Sequence, residues 1–588
     1  MACGCLRLQR RFYSPGTPSK RYDKLSLIDQ LRSIVGPRHV LTKPNNTLRY
    51  RTGFRFGSGP LLAVVRPRTL VEQWRVASAC IASNKIVIMQ AANTGLTGGS
   101  TPCGSDYDRD IVLVSTLRID RIRLINGGSQ AICHSGSTLF HLERLLKPLD
   151  REPHSVIGSS CIGASVVGGI CNNSGGSLIR RGPAFTELAL FARVDGNGVL
   201  QLVNHLGITL GDDPETTLHK LDTDEYTESD IAYDSDRLAS DREYAKHVRD
   251  VASDKAARFN ADPRRLYEAS GSAGKLVIFA VRVDTFPKEE RTKVFYIGTN
   301  DPGELTRIRF QILSDFKELP ISAEYIHRGA FDIAKAYGKD IFLAIKYLGT
   351  DWLPRLFALK AWVDTVSSRF TLVPSHLSDK IMYAISRAFP EHLPKRFREY
   401  RDQYEHYLVL KMSGTGIDEA RHLLGSLYPS RSGDFFECTD EEGEKAFLHR
   451  FAVAGAGVRF RGVYDGEIED IVALDIALKR NEQNWFERLP IEIEGPILHK
   501  LYYGHFFCNV FHQDYLVRKG HDTVELEHKM LCLLEARGAE FPAEHSFGHV
   551  YQAKPPLVAH YRNLDPCNCL NPGVGVTSRR ARWADLPS

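Results

Sequence analysis

Apolar and polar positions alternate between two regular periods over the first half of the chain. Residues 22–40 read as a short helix leading into the fold. Leu61-Leu62-Ala63-Val64-Val65 is an apolar run ended by Pro67, as a buried strand would be. Thr69 can cap the helix that follows, on which Leu70, Trp74, Ala77 and Ile81 share a face. Residues 86–89 and 111–114 are further strands, 131–133 leads to Gly136, and Leu139, Leu142, Leu146 and Leu149 form a helical stripe. Strand character returns at 188–194, 200–203 and 275–284, while the polar, acid-rich stretch 212–262 reads as a surface insertion. After Pro287 the texture shifts. Residues 293–297 and 407–412 are expected in a second, antiparallel sheet, and 332–404 between them is helical, basic and aromatic. The predicted class is α+β.

Two stretches poor in side-chain bulk interrupt this pattern: QAANTGLTGGST at 90–101 and GSSCIGASVVGGICNNSGGS at 158–177. Small residues let a backbone approach a large flat ligand and offer open N–H groups to its phosphates. One such stretch alone equally describes a close-packed seam between two elements. Two of them flanking one sheet read as the walls of a cofactor trough.

Composition narrows the classes. A chain of 588 residues exceeds a single core and points to about three to four domains. A net charge of +5 spread over this length gives no case for nucleic acid. No run reaches the roughly 18 apolar residues of a membrane span, so membrane attachment would be peripheral. The 12 cysteines are scattered, with no C-x-x-C pair, as expected of reduced thiols. Residues 1–22 lack Asp and Glu but carry Arg7, Arg10, Arg11, Lys20 and Arg21. That reads as a mitochondrial transit peptide, with Arg11-Phe12-Tyr13-Ser14 as its processing site, or as a disordered basic tail.

Within 332–404, Arg355, Lys360, Arg369, Lys380, Arg387, Lys395, Arg396, Arg398 and Arg401 interleave with Phe357, Trp362, Phe370, Tyr383, Phe389, Phe397 and Tyr400. Either these are solvated faces over an aromatic core, or they form an interfacial surface for anionic lipid. Gly274-Lys275-Leu276 lacks the rest of a P-loop, and no G-x-G-x-x-G opens a helix after the first strand. In the last third, His505, His512 and Glu544-His545 stand in apolar surroundings. Histidines beside an acid suit removal of a hydroxyl proton near neutral pH. They also suit a divalent metal, and linear spacing does not show convergence.

Long stretches carry a resemblance: MQAANTGLTGGSTP, REPHSVIGSSCIGASVVGGICNNSGGS, AFLHRF, YYGHFFCNVFHQDY and LDPCNCLNPG. Through them the chain, from about residue 25 to near its end, closely resembles the quinone-linked respiratory D-lactate dehydrogenases, flavoproteins of the vanillyl-alcohol-oxidase (p-cresol-methylhydroxylase-type) superfamily. The resemblance implies a two-lobed FAD-binding domain, an antiparallel-sheet cap domain and a helical, basic membrane-binding insertion. It sets the bounds at 1–22 (leader or tail), 23–286 (FAD), 287–535 (cap, with the insertion at 332–404) and 536–588 (completing the FAD and active site). FAD would be held without covalent attachment, since the first loop has none of the histidines that tether it elsewhere. That loop assigns Ala91, Ala92, Asn93, Thr94, Gly95, Gly99 and Ser100 to the pyrophosphate. The second stretch assigns Gly158, Ser165 and Gly175 to the flavin and adenosine, and the strand after Gly274 assigns Ile278.

The wider D-2-hydroxyacid dehydrogenase branch carries H-x-x-G-D-G-N-L-H and a later E-H-G. His505, His512 and Glu544-His545 are the counterparts of these, but the run between the two histidines, with Phe507, Cys508 and Asn509, carries no Gly-Asp-Gly, and Ser546 replaces Gly. A metal is thereby left open. The implied reaction is oxidation of D-lactate to pyruvate with a membrane quinone as acceptor. His545 would take the hydroxyl proton, and His505 and His512, with Glu544, would orient substrate or share the proton. An unassigned arginine would hold the carboxylate. The expected location is peripheral, on the cytoplasmic face of a bacterial inner membrane, or mitochondrial if the leader is a transit peptide. Two other readings keep the fold: a D-2-hydroxyglutarate or glycolate dehydrogenase with a soluble acceptor, and a redox-inactive membrane adaptor.

Overall fold

Strands that are apolar up to their carboxyl ends pair in parallel at the N-terminal end, where helices can cover both faces. β1 (Val40–Leu41), β2 (Ala63–Val65), β3 (Ile86–Gln90) and β4 (Ile111–Ser115) form a sheet in the order β1-β2-β4-β3, with β2, β4 and β3 parallel. The helix α1 (Leu70–Ala82) starts where expected, with Thr69 Oγ1 accepting the Glu72 N–H at 3.0 Å. The computed structural model describes residues 26–154, 163–233, 236–348 and 376–584. The predicted leader 1–22, Gly158, and Arg355, Phe357, Lys360, Trp362, Arg369 and Phe370 of the insertion lie outside the described residues.

The second sheet is antiparallel. It consists of β5 (Ile122–Ile125), β6 (Gln130–His134), β8 (Ala189–Val194), β9 (Leu200–Asn204) and β10 (Val277–Asp284), in the order β5-β6-β10-β8-β9. A short ribbon, β7 (Arg151–Glu152) with β11 (Phe286–Pro287), leads out of it. The third sheet is larger: β12 (Thr292–Thr299), β13 (Ser322–His327), β14 (His406–Ser413), β15 (Gly433–Glu437), β16 (Ile468–Ala477), β17 (Ile497–His505) and β18 (Val510–Arg518). Its order is β15-β12-β14-β13-β17-β18-β16, antiparallel throughout. The two strands foreseen at 293–297 and 407–412 pair directly, Lys293 opposite Met412 and Gly298 opposite Tyr407. Helices bury separate cores on its two faces. One core holds Ile308, Leu424 and Met530. The other holds Phe331, Val453 and Phe460. Three helices on the second face matter below: α2 (Lys339–Leu348), α3 (Leu377–Ser386) and α4 (Asp440–Val463).

Three expectations need correction. The stripe through Leu149 stops early: the helix ends at Leu146, Pro148 turns the chain, and Leu149 is exposed. The stretch 212–262 is not simply a surface insertion. Tyr244, Val248, Ala256 and Ala257 join the main core, and Arg258 is buried. Among the described residues, three aromatic rings of the insertion pack inward and do not face lipid. Phe397 stacks on Tyr296 at 4.5 Å, Tyr383 on Tyr337 at 4.6 Å, and Tyr400 meets Phe436 edge-on at 4.8 Å. Among its described cations, Lys380, Lys395, Arg396 and Arg401 pair with Asp465, Glu399, Glu442 and Asp332. Among its described residues the insertion exposes Tyr347 and, on and just after α3, Ile381, Met382, Ile385 and Phe389. No helix among the described residues is long and apolar enough to cross a membrane.

Candidate active site

The first small-residue loop leaves the carboxyl end of β3, where open parallel sheets bind ligands. It borders a cavity of about 1610 Å³ that also reaches β10, β13, β17 and β18. Ala91, Ala92, Asn93, Thr94, Gly95, Gly99, Ser100, Ser165 and Ile278 all line it. So do His505, His512, Glu544 and His545, so the two groups of predicted residues share one space. Gly175 is not in the lining: a Cβ there would collide with the Glu544 carboxylate, so its bareness makes room for that side chain.

The residues around the loop fit a flavin dinucleotide. Among the described residues, the N–H groups of Ala92 to Gly95 donate to no protein acceptor, and they stand at the cavity wall. A Cβ on Gly99 would lie 3.0 Å from Ser546 Oγ, tighter than packing tolerates. Asn93 takes the left-handed backbone conformation, with φ 55°, that turns the loop. Ile278 sits where the β10–β8 register slips, a bulge that re-aims side chains toward the cavity.

The C-terminal segment closes the site from behind. Thr97 Oγ1 donates to the Ser546 carbonyl at 2.8 Å and meets Ser546 Oγ at 2.6 Å. Cys569 accepts from the Val87 N–H at 2.9 Å, and Asn571 donates to the Val87 carbonyl at 3.0 Å, a parallel bridge along the edge of β3. Residues more than 400 positions apart thus form one wall of the cavity.

The histidines meet through sheet register. β17 and β18 form a hairpin that carries His505 and His512, and Glu324 on β13 lies directly opposite His505. His505 Nδ1 is 2.7 Å from Glu324 Oε1, and its Nε2 is 3.2 Å from Glu544 Oε2 and 3.5 Å from His512 Nε2. Asp475, opposite His512 in register, is fully buried. Its carboxylate accepts the N–H groups of Glu544 and His545, both at 2.7 Å. It also lies 3.3 Å from His512 Nδ1 and 3.7 Å from His545 Nδ1. The rings of His512 and His545 stack at 5.5 Å. His545 is the most open of the three, with 31% of its side chain exposed.

Charge sorts these groups. Burial opposes a cation on His505, but Glu324 and Glu544 outweigh it and raise its pKa to about 9. Burial lowers His512, and Asp475 only partly offsets that, so it stays neutral. Burial also resists ionisation of Glu544 and Asp475. For Glu544 the cations His505 and Arg258 prevail, for Asp475 His545 and His512 do, and both carboxylates fall below their usual range. Two sets of three ligand atoms lie within 4.8 Å of one another: Asp475, His512 and His545, and His505, His512 and Glu544. Either arrangement suits a divalent cation.

Four participants escaped the sequence reading. Glu324 is the lone carboxylate of its strand and Asp475 interrupts the apolar run 471–477, and that was their signal, since a buried carboxylate needs a partner. Arg258, which pairs with Glu544, had none, being one cation in a polar stretch. Arg450 on α4 lies 3.0 Å from Glu324 Oε2 through Nε, covers the Tyr503 ring at 4.5 Å and borders the cavity. It sits inside the quoted run AFLHRF.

The fold is that of the p-cresol-methylhydroxylase-type flavoproteins. The structure of p-cresol methylhydroxylase with substrate bound superposes with a TM-score of 0.57, at 12% identity, over 94% of this chain and 96% of that one. A 4-ethylphenol oxidase from Gulosibacter chungangensis gives 0.54 at 12% identity over 93% and 96%. Residues 294–583 match the family described as D-lactate dehydrogenase, membrane binding. The chain is 57% identical over 560 residues to the quinone-dependent D-lactate dehydrogenase of Haemophilus influenzae, covering 95% of this chain and 99% of the relative. The Escherichia coli enzyme of the same name is 54% identical over 564 residues, covering 96% and 99%. The chain belongs to the family of quinone-dependent D-lactate dehydrogenases and carries its membrane-binding region.

Proposed function

We propose that this chain oxidises D-lactate to pyruvate with non-covalently held FAD and delivers the electrons to a membrane quinone. The observation that carries this reading is the contact between base and cofactor loop: His545 precedes Ser546, which is bonded to Thr97 of the loop. A flavin held by this loop would supply a two-electron acceptor for the C2 hydrogen of the substrate and a donor for the quinone that receives those electrons.

The remaining work falls to side chains of this chain. His545 takes the hydroxyl proton, with Asp475 behind Nδ1 stabilising the imidazolium that forms. His505, already a cation, sits beside the position of the substrate oxygen and carboxylate and favours the developing pyruvate. Neutral His512 fixes the ring of His545 by stacking. Arg450 turns one edge to Glu324, and its other edge pairs with the substrate carboxylate. The Gln90–Thr101 loop offers no histidine for a covalent flavin bond, which supports non-covalent FAD.

The bounds 23–286, 287–535 and 536–588 are proposed as the cofactor, cap and closing segments. The exposed face of Ile381, Met382, Ile385 and Phe389 would enter the membrane surface, with exposed Arg387 beside it meeting anionic headgroups on the cytoplasmic side. His545→Ala tests the chemistry. The rate of flavin reduction by D-lactate in stopped flow should fall about 10²- to 10⁴-fold. An unchanged rate removes His545 from the role of base.

A further inference from the structure

The cavity extends well past the histidines. It continues along one face of α4, where Phe447, Phe451, Ala454, Gly455 and Val458 recur at helical spacing, and Ile341 and Ile345 of α2 close the opposite side. The other face of α4 is already spent: Ala446, Val453, Ala456 and Phe460 are buried against the third sheet. A helix apolar on two faces needs a partner on each, and here the second face looks into open space. Val458, at the outer end of the stripe, is 45% exposed.

The walls are fixed in place. Arg459 of α4 pairs with Asp340 at the start of α2 and lies 3.5 Å from Asp379 of α3, all three buried. Its charge is therefore committed to bracing the helices. Gly455 sets the width, since a Cβ there would fall 2.9 Å from Ile341 Cδ1. Asp379 also borders the cavity, and α3 carries the exposed Ile381, Met382 and Ile385 on its outer side. An apolar route thus runs from the surface at α3, between α2 and α4, to the catalytic corner.

We infer that this α2–α4 channel binds the lipophilic quinone: the ring toward the catalytic corner, the isoprenoid tail along Phe451, Ala454 and Val458. The inference rests on the quinone-linked reading above. A hydrophilic acceptor would gain little from the apolar stripe of α4 and α2, whereas a tail burying apolar area against it gains about 25 cal/mol per Å². The channel is also continuous with the space that the substrate and cofactor loops share, as an electron acceptor requires.

The test uses the full-length, flavin-loaded protein on lipid vesicles and a photoreactive quinone with a decyl tail. Irradiation followed by peptide mapping should place adducts on α4 within 447–458 and on α2 at Ile341 or Ile345. Ala454→Trp and Val458→Trp, at exposed positions that tolerate bulk, should cut that labelling about tenfold. They should raise KM for the decyl quinone by a similar factor, while ferricyanide reduction changes less than about twofold. Adducts confined to other elements, or a fall in ferricyanide and quinone turnover together, would overturn the channel. Should D-lactate fail to reduce the flavin of the unmodified protein, the reading under Proposed function fails while the labelling still reports on the channel.

Discussion

His505 is pressed between two carboxylates, and its charge follows from them. Glu324 lies at 2.7 Å and Glu544 at 3.2 Å, and together they lift its pKa to about 9 against an ordinary 6.5. A histidine raised on folding stabilises the fold fully below its unfolded value, and that stabilisation is lost as pH climbs from about 6.5 through about 9. Glu324→Gln removes one of the two anions, so the alkaline decline in Tm should be smaller and end closer to neutrality; identical pH–Tm curves would contradict the pairing. Glu544→Gln leaves the buried Arg258 guanidinium without its anion. Loss of one partner from such a pair costs about 3–5 kcal/mol, read from urea melts. At this scale the sequence disclosed the histidines and Glu544, because those residue types stand out against apolar neighbours. It concealed Arg258, whose partner is 286 residues away.

At the scale of elements, α4 shows how local chemistry fixes a long helix. Thr439 Oγ1 accepts the Glu442 N–H at 3.2 Å, and the Glu442 carboxylate accepts the Thr439 N–H at 2.9 Å, a reciprocal cap. Glu442 also pairs with Arg396, tying the end of the insertion to α4. Thr439→Ala should cost about 1 kcal/mol in urea melts with flavin binding retained, and no measurable cost would show the cap to be idle. Strands β3 and β4, helix α1 and the β12–β14 pair were legible because each obeys one period with clear stops. Leu149 broke its pattern because Pro148 outranks the apolar stripe. The rings of Phe397, Tyr383 and Tyr400 misled for a different reason: composition marks an aromatic helix without saying which way its rings face.

Across the whole molecule, the catalytic site exists because distant segments converge. The loop after β3, the hairpin of β17 and β18, and the run from Glu544 to Asn571 are adjacent only once all three sheets have formed. Asn571 Nδ2 donates to the Gly99 carbonyl at 2.8 Å, and a ring nitrogen of His549 lies 3.0 Å from that of Thr101, so the C-terminal end holds the cofactor loop in shape. The convergence itself was not legible, since period and motif describe neighbours in sequence. Family resemblance supplied it, and the geometry gives it a physical cause. The most direct test is anaerobic addition of D-lactate to the flavin-loaded protein while its yellow absorbance is followed. The account predicts prompt bleaching with D-lactate and none with L-lactate; an absorbance that D-lactate leaves unchanged would contradict it.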